Sequence, residues 1–105
     1  MYHFIGIKGT GMASLAQIMK NLGYEVKGSD ISEHCFTDDA LNAAGIYALP
    51  FDKNNIKEND IVIRGNSFTS ENNEEVKRAE ELNVKMYDYE EMVGKLTKMF
   101  QTITV

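Results

Sequence analysis

Tyr2-His3-Phe4-Ile5-Gly6-Ile7 is a short, nearly continuous apolar run that passes into glycines, the pattern of a strand buried on both faces of a parallel sheet. The period then changes. Met12, Leu15, Ala16, Met19 and Leu22 recur at helical spacing on one stripe, and Gly23 stands where a C-terminal cap is expected. The same alternation continues. Tyr24–Gly28 predicts a second strand, Thr37 is placed to cap a short helix through Leu41 and Ala44, and Gly45 to end it before a third strand, Ile46–Leu49, closed by Pro50. Asp60–Arg64 predicts a fourth strand, Glu71–Leu82 a helix with Val76, Ala79 and Leu82 facing inward, and Val84–Tyr87 a fifth strand. Behind Asp88, the residues Tyr89, Met92, Val93, Leu96, Met99 and Phe100 share one helical stripe, with Asp88 and Glu91 spaced as a capping pair. Gln101–Val105 is β-branched and predicts the start of a further strand. Strands alternating with helices predict an α/β fold: an open parallel sheet of about five strands, right-handed crossovers and helices on both faces.

Composition sharpens this picture without redirecting it. The 105 residues, 43% hydrophobic and 26% charged with a single proline, suit one compact domain over residues 1–100, with 101–105 starting a strand that leads into a further domain. A domain seldom stops in mid-strand, so the tail predicts a longer parent. Cys35 is the only cysteine and has no internal partner. No basic leader precedes an apolar run, and no run approaches the roughly 20 residues that span a bilayer, so the expectation is a cytoplasmic protein without a membrane partner. The net charge of −5 and the absence of a basic face argue against a nucleic-acid partner, which would need clustered Lys and Arg. An anionic ligand would therefore have to be held largely by backbone N–H groups.

Gly6-Ile7-Lys8-Gly9-Thr10-Gly11-Met12 offers such groups. A turn that leaves a first strand and opens directly onto a helix aims unpaired N–H groups, and the positive end of the helix dipole, at one point: a seat for a diphosphate. Gly9 and Gly11 keep side chains out of the way, and Gly6 permits a tight exit from the strand. The dinucleotide-binding pattern has glycine where Lys8 stands, so this lysine either points away or meets a phosphate oxygen itself. The alternative is a glycine turn that serves packing alone. Asp30 follows Gly28-Ser29 at the end of the second strand, where an acid accepts hydrogen bonds from ribose hydroxyls or, alternatively, caps the next turn. Arg64-Gly65-Asn66-Ser67-Phe68-Thr69-Ser70 follows the fourth strand and would face the glycine loop, supplying amides and hydroxyls, or would be an ordinary loop with Ser70 or Asn72 capping the helix. His3, His34 and Cys35 make no metal set, the methionines on helical stripes read as core, and the acidic stretch 71–91 reads as a solvated helix face with Glu74 and Arg78 spaced for an ion pair. There is no P-loop pattern and no nucleophile–base pair, so catalytic residues are not expected here.

The glycine loop with its trailing Met12-Ala13-Ser14-Leu15-Ala16, the run Gly23-Tyr24-Glu25-Val26-Lys27-Gly28-Ser29-Asp30, and Asn72-Asn73-Glu74 at a helix start resemble the amino-terminal domain of the peptidoglycan Mur ligases, in particular those that join L-alanine to UDP-N-acetylmuramate. The resemblance covers nearly the whole chain. It implies a Rossmann-like domain that binds the UDP part of UDP-N-acetylmuramate, in an ADP-forming ligase whose missing central and carboxyl-terminal domains take ATP, Mg2+ and the amino acid. No cofactor is implied for these residues themselves. Carried over by position, Gly9, Thr10, Gly11 and Met12 would contact the diphosphate, with Lys8 beside them, Asp30 the uridine side, and Asn66 and Ser67 the neighbouring nucleotide or sugar. The sequence departs from the family pattern at Lys8, at Gly65-Asn66-Ser67 in place of a Ser-Ser-Ala-like run, and near Asp52, where the family has histidine. Other readings of the same fold are a module that senses NAD or another nucleotide, an oxidoreductase domain, or a related ligase that attaches a recycled peptide to the same UDP-sugar.

Overall fold

The computed structural model describes residues 1–31 and 36–103, with the side chains of Phe36 and 99–103 left out. The expectations for His34 and Cys35, for the inward side chains of Met99 and Phe100, and for Thr104–Val105 fall outside the described residues. Four strands and four α-helices alternate: β1 (Tyr2–Ile5), α1 (Thr10–Asn21), β2 (Val26–Ser29), α2 (Phe36–Ala43), β3 (Ile61–Arg64), α3 (Glu74–Leu82), β4 (Met86–Asp88) and α4 (Tyr89–Ile103). A single 3-10 turn, Lys53–Asn55, precedes β3. The strands form one parallel sheet in the order β2-β1-β3-β4, with Ile5 level with Ser29 on one side and Arg64 on the other. The chain therefore moves outward from β1 to β2 and returns to β1's other edge for β3. That reversal creates a crevice at the carboxyl ends of β1 and β3.

Alternation along the strands fills two cores. Phe4 and Ile63 point to one face, where they meet Met12, Leu15, Ala16 and Met19 of α1, Leu41 of α2, and Met92 and Leu96 of α4. Ile5 and Val62 point to the other, against Ile56 and against Val76 and Ala79 of α3. Helices thus cover both faces, as the apolar strands require.

Most predicted boundaries hold. Gly23 adopts φ +99 behind α1, and Tyr24 N–H returns to the carbonyl of Met19, so glycine closes the helix as expected. Asp88 and Glu91 exchange backbone-to-carboxylate bonds of 2.8 and 3.1 Å at the start of α4. Four differences have physical causes. Ile46–Leu49 contributes one bridge, Leu49 with Ser29, because Pro50 follows at once and cannot extend a ladder; the sheet has four strands where about five were expected. Thr37 lies inside α2 and spends its hydroxyl on the carbonyl of Lys8, 2.6 Å away. Helix α3 starts at Glu74, capped by Asn73 and not by Ser70 or Asn72, while Asn72 bonds Thr69 N–H and the carbonyl of Ser67 to shape the preceding turn. Gln101–Ile103, expected as strand, continue α4.

On the α3 face the core contains a polar knot. His3 Nε2 lies 2.7 Å from Glu75 Oε1, both fully buried, and the Ser29 hydroxyl donates to the same oxygen. Glu75 Oε2 accepts from Asp52 N–H and Asn55 Nδ2, each at 2.9 Å. An ionised carboxylate only accepts, so the network assigns the His3 proton to Nε2 and leaves Nδ1 buried without a partner. Burial pushes the Glu75 carboxyl upward, but the bonds from His3, Ser29, Asp52 and Asn55 outweigh it and hold the group below its ordinary value of 4.5. One side chain thereby joins β1, β2, α3 and the turn before β3.

Replacing Glu75 by Gln, which swaps one acceptor for a donor inside this knot, is expected to cost about 2 kcal/mol at neutral pH by urea unfolding. Because the folded carboxyl titrates below 4.5, its contribution is whole above that value and is lost as pH falls through the lowered one. The stability gap between wild type and Glu75→Gln should therefore narrow as the solution is made more acid than pH 4.5. A second unfolding series tests the first turn. Gly6 sits at φ +85, and a Cβ there would lie 2.4 Å from the Phe68 ring; a Cβ on Gly9, at φ −59, meets nothing nearer than 3.5 Å. Gly6→Ala should cost about 3 kcal/mol and Gly9→Ala less than about 0.5 kcal/mol.

Candidate nucleotide-phosphate site

The site is built by the reversal that follows β1. Gly6 turns the chain in the left-handed region, and Gly6 and Ile7 N–H both bond the Ser29 carbonyl at 2.9 and 3.1 Å, pinning the turn to the end of β2. Gly9 N–H closes on the Gly6 carbonyl at 3.1 Å, and α1 begins one residue later. Gly9 occupies the N-cap position and has no side chain with which to cap; no acidic residue stands in the first turn. The first intrahelical bond runs from Ala13 N–H to the Gly9 carbonyl at 2.7 Å. Among the described residues, Thr10, Gly11 and Met12 N–H meet no acceptor of the protein. Three N–H groups without an acceptor of the protein thus stand at the positive end of a 12-residue helix, the kind of place at which anions bind.

Lys8 resolves one of the two readings of its position. Its ammonium is turned to Asp38 Oδ2, 3.2 Å away in α2. Its backbone N–H bonds Asp30 Oδ2 at 2.8 Å, while Asp30 Oδ1 takes Ile31 N–H at 2.7 Å. Asp30 is thus the buried acid that fastens the phosphate turn to the end of β2, and it borders a hollow of about 200 Å3 whose other walls are Lys8, Ile31, Ala48, Leu49 and Pro50. Ile31 and Leu49 expose 48% and 40% of their surface, an apolar rim suited to the flat face of a base. The rim escaped the sequence reading because these residues come from the end of β2 and from the unit closed by Pro50, which only the Leu49–Ser29 bridge brings together.

The loop after β3 stands across the crevice, but it is anchored by an aromatic ring. Gly65 N–H bonds the Ile5 carbonyl at 3.0 Å, and Phe68 folds back over Gly6 and Gly65 to stack obliquely on Phe51, centroid to centroid 5.4 Å. Arg64 Nη1 secures the Phe68 carbonyl at 2.9 Å. Asn66 and Ser67 are left exposed at the loop tip, opposite the glycine turn and not bonded to it. Lys8, Gly9–Met12 and Asp30 therefore follow the adjacent strands β1 and β2 at their carboxyl ends, and Asn66 and Ser67 lie on the loop after β3, on the other side of β1. Tyr89 was read only as a helix-stripe residue. A Cβ on Gly11 would lie 3.0–3.2 Å from its ring and hydroxyl, so Gly11 lets α4 close over the start of α1.

The Mur ligase family, catalytic domain, matches residues 1–101. Among solved structures, the UDP-N-acetylmuramate-alanine ligase MurC of Thermotoga maritima superposes with a TM-score of 0.82 at 28% identity, covering 93% of this chain and 23% of that one. The UDP-N-acetylmuramate:L-alanyl-gamma-D-glutamyl-meso-diaminopimelate ligase of Neisseria meningitides superposes with a TM-score of 0.74 at 31% identity, covering 84% of this chain and 28% of that one. The chain spans about a quarter of the length of these two enzymes. With residues 1–101 of its 105 matched by one family model, the chain belongs to the Mur ligase family.

Proposed function

We propose that this chain is the UDP-N-acetylmuramate-binding domain of an ATP-dependent, ADP-forming ligase of peptidoglycan synthesis that adds L-alanine to the muramate carboxylate. The observation that carries the reading is the trio of unsatisfied N–H groups on Thr10, Gly11 and Met12 beside the hollow bordered by Asp30. The diphosphate would lie on the amides, the uridine in the hollow with Asp30 toward the ribose, and the sugar toward Asn66 and Ser67. These contacts bind and orient. The bond-forming chemistry is assigned to other domains of the parent, since this chain has no P-loop pattern and, among the described residues, no cluster of three metal-ligating side chains. In this reading ATP and Mg2+ belong to the parent's remaining domains. No described helix is long and apolar enough to cross a membrane, which agrees with work on a water-soluble nucleotide sugar.

A second reading is favoured by the 31% identity to the peptide-attaching ligase. Both parents would act on the same UDP-sugar and differ in the incoming amine, so this domain would serve either.

Calorimetric titration with UDP-N-acetylmuramate, UDP and NAD is expected to show binding of the two uridine ligands and none of NAD; NAD binding alone would defeat the proposal. A single-donor deletion tests the amides themselves. Thr10 is the first helical residue, where proline is tolerated, and Gly9 at φ −59 and ψ 144 already has the conformation that precedes a proline. Thr10→Pro should keep the melting temperature and weaken UDP about tenfold, because it removes one N–H bond to a charged oxygen.

A further inference from the structure

Lys8 is the residue at which this sequence leaves the glycine pattern, and all three of its polar groups are engaged with other elements. Its N–H holds Asp30 at the end of β2. Its carbonyl accepts the Thr37 hydroxyl, and its ammonium meets Asp38, both in the first turn of α2. The two charged side chains expose only 9% and 12% of their surface, so neither is a freely solvated surface charge. Lys8 and Asp30 are also two of the six residues that line the hollow.

We infer that Lys8 is a positioning residue for the ligand and not a phosphate contact: clamped to α2 through Thr37 and Asp38, it is itself held in place as one wall of the hollow that receives the nucleoside. The inference rests on the proposed uridine diphosphate reading and adds to it. A lysine beside a diphosphate seat would ordinarily be assigned to the phosphate as a point charge. Here the cation is already matched by a carboxylate at 3.2 Å, and the anion is left to the backbone donors of Thr10–Met12. Removing either partner loses this ion pair, so the second removal has less left to lose. Clamp and contact therefore predict different patterns in the same set of variants.

The test is calorimetric titration of wild type, Lys8→Met, Asp38→Asn, the double variant and Lys8→Arg with UDP and with uridine, after checking that each variant melts cooperatively. The clamp predicts that Lys8→Met and Asp38→Asn each weaken both ligands by a similar factor, about tenfold, that the double variant loses clearly less than the sum of the two, and that Lys8→Arg restores binding. Three results would overturn it: Lys8→Met weakening UDP while sparing uridine, Asp38→Asn tightening UDP, or strictly additive losses in the double variant. A wild type that binds neither ligand would instead defeat the uridine diphosphate reading. The clamp is then decided without ligand by hydrogen exchange of the α2 amides: faster exchange in both single variants sustains it, and unchanged exchange overturns it.

Discussion

The structure depends on how the chain leaves β1. Within four residues it must abandon a fully buried strand, reverse, and start a helix over the same face of the sheet, and every backbone group on that path must be paired or left facing an open surface. The solution is asymmetric. Gly6, Ile7, Lys8 and Gly9 send their N–H groups to Ser29, Asp30 and Gly6, all within the protein. The next three N–H groups have no such partner, and the residue that would ordinarily cap them is glycine. A helix that could have been capped by Ser or Asp for about 1 kcal/mol is left bare. The stability forgone is small and the gain is a positive, preorganised surface. On the proposed reading that surface binds the diphosphate in a chain whose net charge is −5.

The Glu75 knot explains why such an opening is tolerated. Ser29 is shared between the two: its carbonyl receives the phosphate turn, and its hydroxyl donates to Glu75. The carboxyl end of β2 is thereby held from both sides, by the turn on one and by the buried acid of α3 on the other. Phe68 does the same for β3, lying across Gly6 and Gly65 and tying its loop to the turn. The ends of β2 and β3 are thus both fastened to the turn between them, and donors already held in place need little reorganisation when an anion arrives.

The fold was legible because its signals are local. Strand β1, the stripe of α1, the Gly23 cap, the Asp88–Glu91 box and β3 each follow from spacing within a single element. So does the glycine turn, since a glycine loop between a strand and a helix has few geometries open to it. What was not legible is pairwise and long-range. Glu75 reads as one more charge on an acidic helix face, and nothing in its neighbourhood announces that His3 and Ser29 will bury it. Thr37 reads as a cap until the Lys8 carbonyl competes for its hydroxyl. Ile46–Leu49 carries strand composition, but its fate was set by Pro50 and by how little of β2 remains beyond Gly28 to pair with it. The direction of the Lys8 side chain needed the position of Asp38, 30 residues on.

The size of the hollow bears on how the ligand is shared between this domain and others. Pockets that enclose a whole small molecule run to about 300–1,000 Å3. The space between Lys8, Asp30 and Leu49 is about 200 Å3, and none of Thr10, Gly11 and Met12 lines it. On the uridine diphosphate reading, this chain encloses one end of the nucleotide sugar, grips the diphosphate by the middle, and leaves the other end projecting. That arrangement suits a substrate whose reacting carboxylate must reach chemistry performed elsewhere. Asn66 and Ser67, exposed at the tip of a loop whose base is locked by Phe68 and Arg64, would then guide the sugar outward, away from the nucleoside hollow. Since the chain covers 23% and 28% of the two ligases it resembles, most of each of those proteins lies outside the part that matches. On the same reading, a seat that encloses only one end of its ligand would present the other end to another part of the parent.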